Sequence, residues 1–156
     1  MARRERPDEL RLEAWRSLLM AAVSVRERLE QEMVEERGLP LTWYEVMLRL
    51  QQAPGRRLRM QELAQGAVVG KSALTQIADR MVEAGLVRRE TCRSDRRGVF
   101  LVLTAAGRRA FLRAAAVHLR GIQRHFGAHL DDREAGALSA LLQRLQLRQE
   151  EGAAVQ

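Results

Sequence analysis

The sequence is poor in the residues that build covalent or aromatic frameworks. It holds one cysteine, Cys92, among 156 residues. That excludes a disulfide framework within the chain and the four thiolates of a structural zinc site, and it suits a reducing, cytoplasmic setting. Aromatic residues make up only 4% of the chain and proline occurs three times. No stretch approaches the roughly 20 uninterrupted apolar residues that a spanning helix needs, and the opening MARRERPDELR meets acidic residues before any apolar signal core forms. The expectation is a soluble protein, neither secreted nor membrane-spanning. No Gly-x-Ser-x-Gly, His-Glu-x-x-His, phosphate-loop or dinucleotide glycine pattern occurs. Without a catalytic constellation, neither an enzyme nor a cofactor is expected.

What is present is enough apolar surface, 46% of residues, to build one compact domain with a core. Charged residues add 30%, with a net charge of +7 that is unevenly placed. Residues 1–55 hold nine arginines and ten acids, and residues 114–156 hold five of each. Residues 56–113 hold thirteen basic residues against five acids, so the whole excess sits in the middle. All but one of the 27 basic residues are arginine, which a codon bias could produce, but a uniform bias would not leave both ends neutral. A local positive field of this kind suits a polyanion, and nucleic acid is the default one.

Apolar periodicity orders the elements. Leu12, Trp15, Leu19, Ala22, Leu29 and Met33 recur at helical spacing from Asp8 to Glu36, and Gly38 with Pro40 ends that helix. Thr42 and Glu45 have capping-box spacing, predicting a second helix from about Trp43 to Gln52, before Pro54. After a short extended piece around Leu58, MQELAQGA reads as a third helix. Gly70 opens a fourth, with Leu74, Ile77, Ala78 and Met81 on its core side and Gly85 at its end. LVRRETC and VFLVL read as two strands joined by the polar turn RSDRRG. Thr104 caps a fifth helix with the stripe Phe111, Ala115, His118, Ile122 and His125. Asp131 and Glu134 repeat the capping-box spacing before a sixth, carrying Leu138, Leu141 and Leu145.

The expected fold is mainly α with a small β-hairpin wing, a winged helix-turn-helix flanked by N- and C-terminal helices. Its second short helix is polar on one side, showing Lys71, Ser72, Thr75, Gln76, Asp79, Arg80 and Glu83. A helix of about 10–12 Å diameter fits the major groove of B-form DNA, whereas the deep, narrow groove of A-form RNA excludes it. Gln76 can offer a donor and an acceptor to adenine, Ser72 and Thr75 can reach bases or phosphates, and Lys71 and Arg80 can act on the backbone. Arg96 and Arg97 at the hairpin tip suit a minor groove, with Arg88, Arg89 and Arg93 flanking the hairpin and Asp95 as an orienter of a neighbouring arginine.

The run from Glu62 to Gly107 resembles the multiple-antibiotic-resistance regulator (MarR) family of bacterial transcription factors. The marks are a recognition helix running into Gly-Leu-Val-x-Arg (Gly85 to Arg89), an Asp-x-Arg wing (Asp95, Arg97) and a strand leading into Leu-Thr-x-x-Gly (Leu103, Thr104, Gly107). One departure is local. Where the family usually places Thr or Ser to cap the third helix, this chain has Arg59 and Met60. The resemblance implies a homodimer interlocked through its first, fifth and sixth helices. It also implies binding to a pseudo-palindromic operator in double-stranded DNA, repression, and release by a small ligand or oxidant. It divides the chain into an arm over 1–40, a DNA-binding lobe over 41–107 and dimerisation helices over 108–156. A winged-helix module that binds protein or RNA without an operator is the alternative reading.

Three further groups have two readings each. Trp15 and Arg16 on the first helix, with Trp43, Tyr44 and Met47 on the second, either line a cleft for a planar, aromatic or anionic effector or pack as ordinary core. His118, His125 and His129 share helical spacing, and His125 with His129 at i and i+4 are the candidate metal ligands. They need carboxylates such as Glu32, Glu35 or Glu36 to complete a site, and the competing role is lining a seam or pocket. Cys92 at the end of the first wing strand is read as a bland strand residue, since redox-sensing relatives carry their thiol in the first helix.

Overall fold

A computed structural model of the chain describes residues 6–65, 69–91 and 98–153, with side chains to residue 146. Six helices and three strands follow in the order α1 (Glu9–Arg37), α2 (Leu41–Gln52), β1 (Arg57–Arg59), α3 (Met60–Gln65), α4 (Lys71–Glu83), β2 (Val87–Thr91), β3 (Val99–Leu103), α5 (Ala105–His125) and α6 (Asp132–Ala153). The chain divides into two compact units, residues 26–119 and residues 1–25 with 120–156.

The unit of residues 26–119 carries the core. Leu29 and Met33 at the end of α1, Leu41, Met47 and Leu50 of α2, Leu63 of α3, and Leu74 and Met81 of α4 are all buried. The strands form an antiparallel sheet in the order β1-β3-β2, with Leu58 opposite Leu101 and Arg89 opposite Leu101 on the other side. The hairpin expected from sequence is therefore part of a three-stranded sheet. The short extended piece around Leu58 supplies the third strand after a turn in which Gly55 and Arg56 both take positive φ, 63° and 53°. On α5 the buried face is Phe111, Ala114 and Val117, with Ala115, His118 and Ile122 only half-buried.

The helix ends show which capping readings hold. The Asp8 carboxylate accepts the Arg11 N–H at 2.9 Å and starts α1. Asp131 and Glu134 form the expected box, Glu134 N–H to Asp131 Oδ1 at 2.8 Å and Asp131 N–H to Glu134 Oε2 at 3.0 Å. The Thr42–Glu45 box does not form. The second helix starts at Leu41, directly after Pro40, and the Leu41 N–H donates to Glu30 Oε2 at 2.8 Å. Glu45 is already committed to Arg26, whose Nη2 donates to its Oε2 at 3.0 Å, and this bond holds the guanidinium charged, with its pKa raised. Before α3, where no Ser or Thr stands, Glu62 supplies the other half of a capping box, its carboxylate accepting the Arg59 N–H at 2.7 Å.

In the unit of residues 1–25 and 120–156 the side-chain pattern is the reverse. Among its described residues only Gly121 is buried. Trp15, Met20 and Val23 of α1 and Leu141 and Leu145 of α6 are 49–70% exposed. Among the described residues no helix is long and apolar enough to cross a membrane.

Candidate nucleic-acid interface

The amphipathic design of α4 sets the site. Leu74, Ala78 and Met81 anchor one side in the core with Ile77 half-buried, and this leaves Lys71, Ser72, Thr75, Gln76, Asp79 and Arg80 exposed on the other. The helix begins at Gly70 with no side-chain cap for its first amides, and a helix N-terminus favours negative charge. Its end is closed by Gly85 at φ 70°, where the Leu86 N–H returns to Met81 O at 3.0 Å and the chain turns into β2.

The same turn docks α5. Thr104 caps that helix, its Oγ1 accepting the Gly107 N–H at 2.9 Å while its hydroxyl lies 2.7 Å from Gly85 O and 3.0 Å from Leu86 O. The Thr104 N–H donates to Leu86 O at 3.1 Å. A hydroxyl three residues before a glycine thus ties the turn after α4 to the start of α5.

On the wing, Arg89 reaches across to α4 and pairs with Asp79, Nη1 to Oδ1 at 2.8 Å. Arg88 pairs with Glu90 on the outer face of the sheet, where the guanidinium groups of Arg57 and Arg59 lie 4.9 Å and 5.5 Å from the centre of the Phe100 ring. Arg59 is not among the site residues expected from sequence, and Arg89 enters that expectation only as an arginine flanking the hairpin. Cys92, Arg93, Asp95, Arg96 and Arg97 lie outside the described residues.

The other candidates separate. Trp15, more than half exposed, and Arg16, paired with Glu9 at 3.4 Å, belong to the unit of residues 1–25 and 120–156. Trp43, Tyr44 and Met47 belong to the other unit, where Met47 is fully buried and Tyr44 nearly so. Tyr44 stacks on Phe111 at 5.4 Å and meets His118 at 4.4 Å. His129 is not on the fifth helix. That helix ends at His125, and the chain passes through Phe126 into a 3-10 turn over Gly127–His129, so the i, i+4 geometry with His125 does not exist. Among the described residues no group of three or more His, Cys, Asp or Glu is placed to hold a metal.

Burial lowers the pKa of His118 from its ordinary value of 6.5, with Glu45 opposing the shift and Arg26 adding to it. The folded state therefore binds fewer protons than the unfolded chain just below pH 6.5. The stability linked to this residue is complete above that pH and is lost as pH falls through the folded pKa. Thermal unfolding between pH 7.5 and 5.5 should show a lower melting temperature at the acid end. His118→Phe should flatten that dependence, and an unchanged slope would refute the assignment.

This arrangement defines a winged helix-turn-helix protein. The model of the MarR family matches residues 37–98. A MarR family transcriptional regulator from Streptomyces coelicolor, solved in complex with DNA, is 29% identical with a TM-score of 0.85, covering 94% of this chain and 91% of that one. AbsC, a MarR family transcriptional regulator from the same organism, is 32% identical with a TM-score of 0.84 and covers 94% and 99%. A putative transcriptional regulatory protein for the hcr operon of Thauera aromatica is 35% identical over 88 residues, 56% of this chain and about half (52%) of that protein's length. The chain belongs to the MarR family, whose members are transcriptional regulators and not enzymes.

Proposed function

We propose that the protein is a homodimeric repressor that binds a pseudo-palindromic operator in double-stranded DNA and is released by a small aromatic or anionic effector. The observation that carries the DNA-binding part is α4. Its polar face, with Ser72, Thr75 and Gln76, is exposed along its length, while its apolar face is locked into the core. Ser72, Thr75 and Gln76 read base edges, Lys71 and Arg80 hold the backbone, and Arg93, Arg96 and Arg97, with Asp95 orienting, enter the minor groove. The dimer is supported by a terminal unit that exposes its large apolar side chains and has no core of its own among the described residues. Residues 1–40 and 108–156 supply the interface. Two-fold pairing sets the two recognition helices about 34–36 Å apart, one turn of DNA. An effector that binds better to a dimer with a different spacing lowers operator affinity by its differential affinity for the two states.

Footprinting on DNA flanking the protein's own gene, followed by anisotropy titration on the protected duplex, tests this reading. Arg97→Ala should weaken operator binding about ten- to a hundredfold, the worth of about 1–3 kcal/mol for a specific groove contact. Arg96→Ala should weaken all sequences alike and make the salt dependence shallower. Both variants binding like the wild type would remove the wing from the mechanism. A protein that prefers RNA to duplex DNA, or leaves no symmetric footprint, would favour an interaction module instead.

A further inference from the structure

Beside the recognition helix lies a cleft of about 500 Å³, bounded by Arg59 and Met60 at the β1–α3 corner, Lys71 and Thr75 on α4, and Arg89 and Val99 on the wing strands. Three basic residues from separate parts of the chain, Arg59, Lys71 and Arg89, are among those lining it, and no carboxylate lines it among the described residues. At this corner the Glu62 carboxylate accepts the Arg59 N–H, and the Arg59 guanidinium lies 5.5 Å from the centre of the Phe100 ring. Lys71, Thr75 and Asp79 stand in one column of α4 at four-residue spacing. Arg89 crosses from β2 to the far end of that column, where Asp79 takes its Nη1 at 2.8 Å.

We propose that this cleft seats one backbone phosphate of bound DNA, with Arg59, Lys71 and Arg89 as its cations and Asp79 as the positioning residue that aims Arg89. The inference rests on the DNA-binding reading and goes beyond it by assigning Arg59, Arg89 and Asp79. A guanidinium carries five N–H donors in a rigid plane. Fixed on one edge by a carboxylate, it presents its remaining donors in a set direction; unfixed, it trails along any phosphate within reach. Asp79 therefore has opposite effects in two kinds of complex. In a registered complex it orders Arg89 against a particular phosphate, whereas in an unregistered one its negative charge only repels the backbone.

That opposition supplies the test. The wild-type full-length chain is used to select a preferred sequence from a random 30-base-pair duplex library. Affinities for the selected and an unselected duplex are then measured by anisotropy over a series of salt concentrations. Asp79→Asn should weaken the selected duplex about tenfold while binding the unselected one as well as or better than the wild type. Arg59→Ala and Arg89→Ala should each weaken binding and make the salt dependence shallower, with the two together lowering the slope by no more than about 0.9, the worth of the one phosphate they share. Their double variant should lose less than the two losses combined, because both hold the same phosphate. Single methylphosphonate linkages walked along the selected duplex should reveal one position per half-site that weakens the wild type and leaves Arg89→Ala indifferent. If Asp79→Asn tightens both duplexes, or no linkage behaves this way, the cleft is a solvated surface and the assignment is overturned while DNA binding stands. If selection enriches no duplex, the DNA-binding reading itself fails and this one with it.

Discussion

Replacing Gly107 with alanine is expected to cost about 3 kcal/mol of stability, the upper end of what overpacking a well-fitted site usually costs. A Cβ on Gly107 would lie 2.0 Å from Leu86 O and 2.8 Å from Leu103 Cδ1. The obstacle is a backbone carbonyl, which cannot swing aside as a side chain would. That carbonyl also receives the Thr104 N–H, so pushing it away loosens the cap of α5 as well. For a chain of this size the loss corresponds to a fall in melting temperature of roughly 6–12 °C. Urea unfolding of both proteins at one concentration would measure it. Gly136→Ala is the matched control: it sits within α6 with nothing within 4 Å of the new methyl and should gain about 0.5–1 kcal/mol. Equal stability of Gly107→Ala and the wild type would mean that α5 does not dock on the turn after α4. Because Leu86 lies in the turn three residues past the end of α4, any Gly107 variant that folds should also bind DNA less well.

The Gly107 contact shows why the resemblance to the family was legible from so few residues. A threonine that caps a helix and a glycine three positions later are local signals, and both serve one backbone junction. The order of the helices was legible for a similar reason, since 3.6-residue periodicity, the Asp131–Glu134 box and the glycine ends are all written within a few residues. Features that depend on a distant partner were not. The Thr42–Glu45 spacing is a sound capping signal, but Arg26, nineteen residues away, takes Glu45, and Glu30 supplies the acceptor for Leu41 instead. β1 offers one apolar residue between two arginines, and it becomes a strand through pairing with β3, more than forty residues later. On α5 the buried Ala114 and Val117 lie off the stripe that spacings of three and four trace, because such a stripe drifts around a 21-residue helix.

The candidate site divides along the same line. The exposed face of α4 could be read from its own apolar stripe, and Ser72, Thr75 and Gln76 stand where that stripe requires. Arg59 and Arg89 looked like two more arginines in a segment rich in them. Only the sheet register brings them to one cleft with Lys71, and only the fold puts Asp79 beside Arg89. The shared helical face of His125 and His129 is lost for the opposite reason, since helical spacing does not continue through Gly127, where the chain has left the helix.

The second large effect is expected at the exposed apolar surface of the terminal helices. Leu141 and Leu145 stand one turn apart on α6, 49% and 54% exposed. Covering the rest of each side chain contributes about 1 kcal/mol, and two-fold symmetry doubles the pair to four leucines. Leu141→Asp with Leu145→Asp removes that contribution and sets charges where the partner copy would have to desolvate them. The double variant should elute as a monomer at concentrations where the wild type is a dimer. On a duplex carrying two half-sites its affinity should fall by about 10²- to 10⁴-fold, because the second half-site no longer benefits from tethering, while binding to an isolated half-site is kept. Since a dimer and its fold are often inseparable, the wild type offers an independent measurement. Its melting temperature should rise with protein concentration, as for any folded state stabilised by association. A concentration-independent melting temperature, or a double variant that still elutes as a dimer, would place the interface elsewhere on the chain and leave the spacing of the two recognition helices without its support.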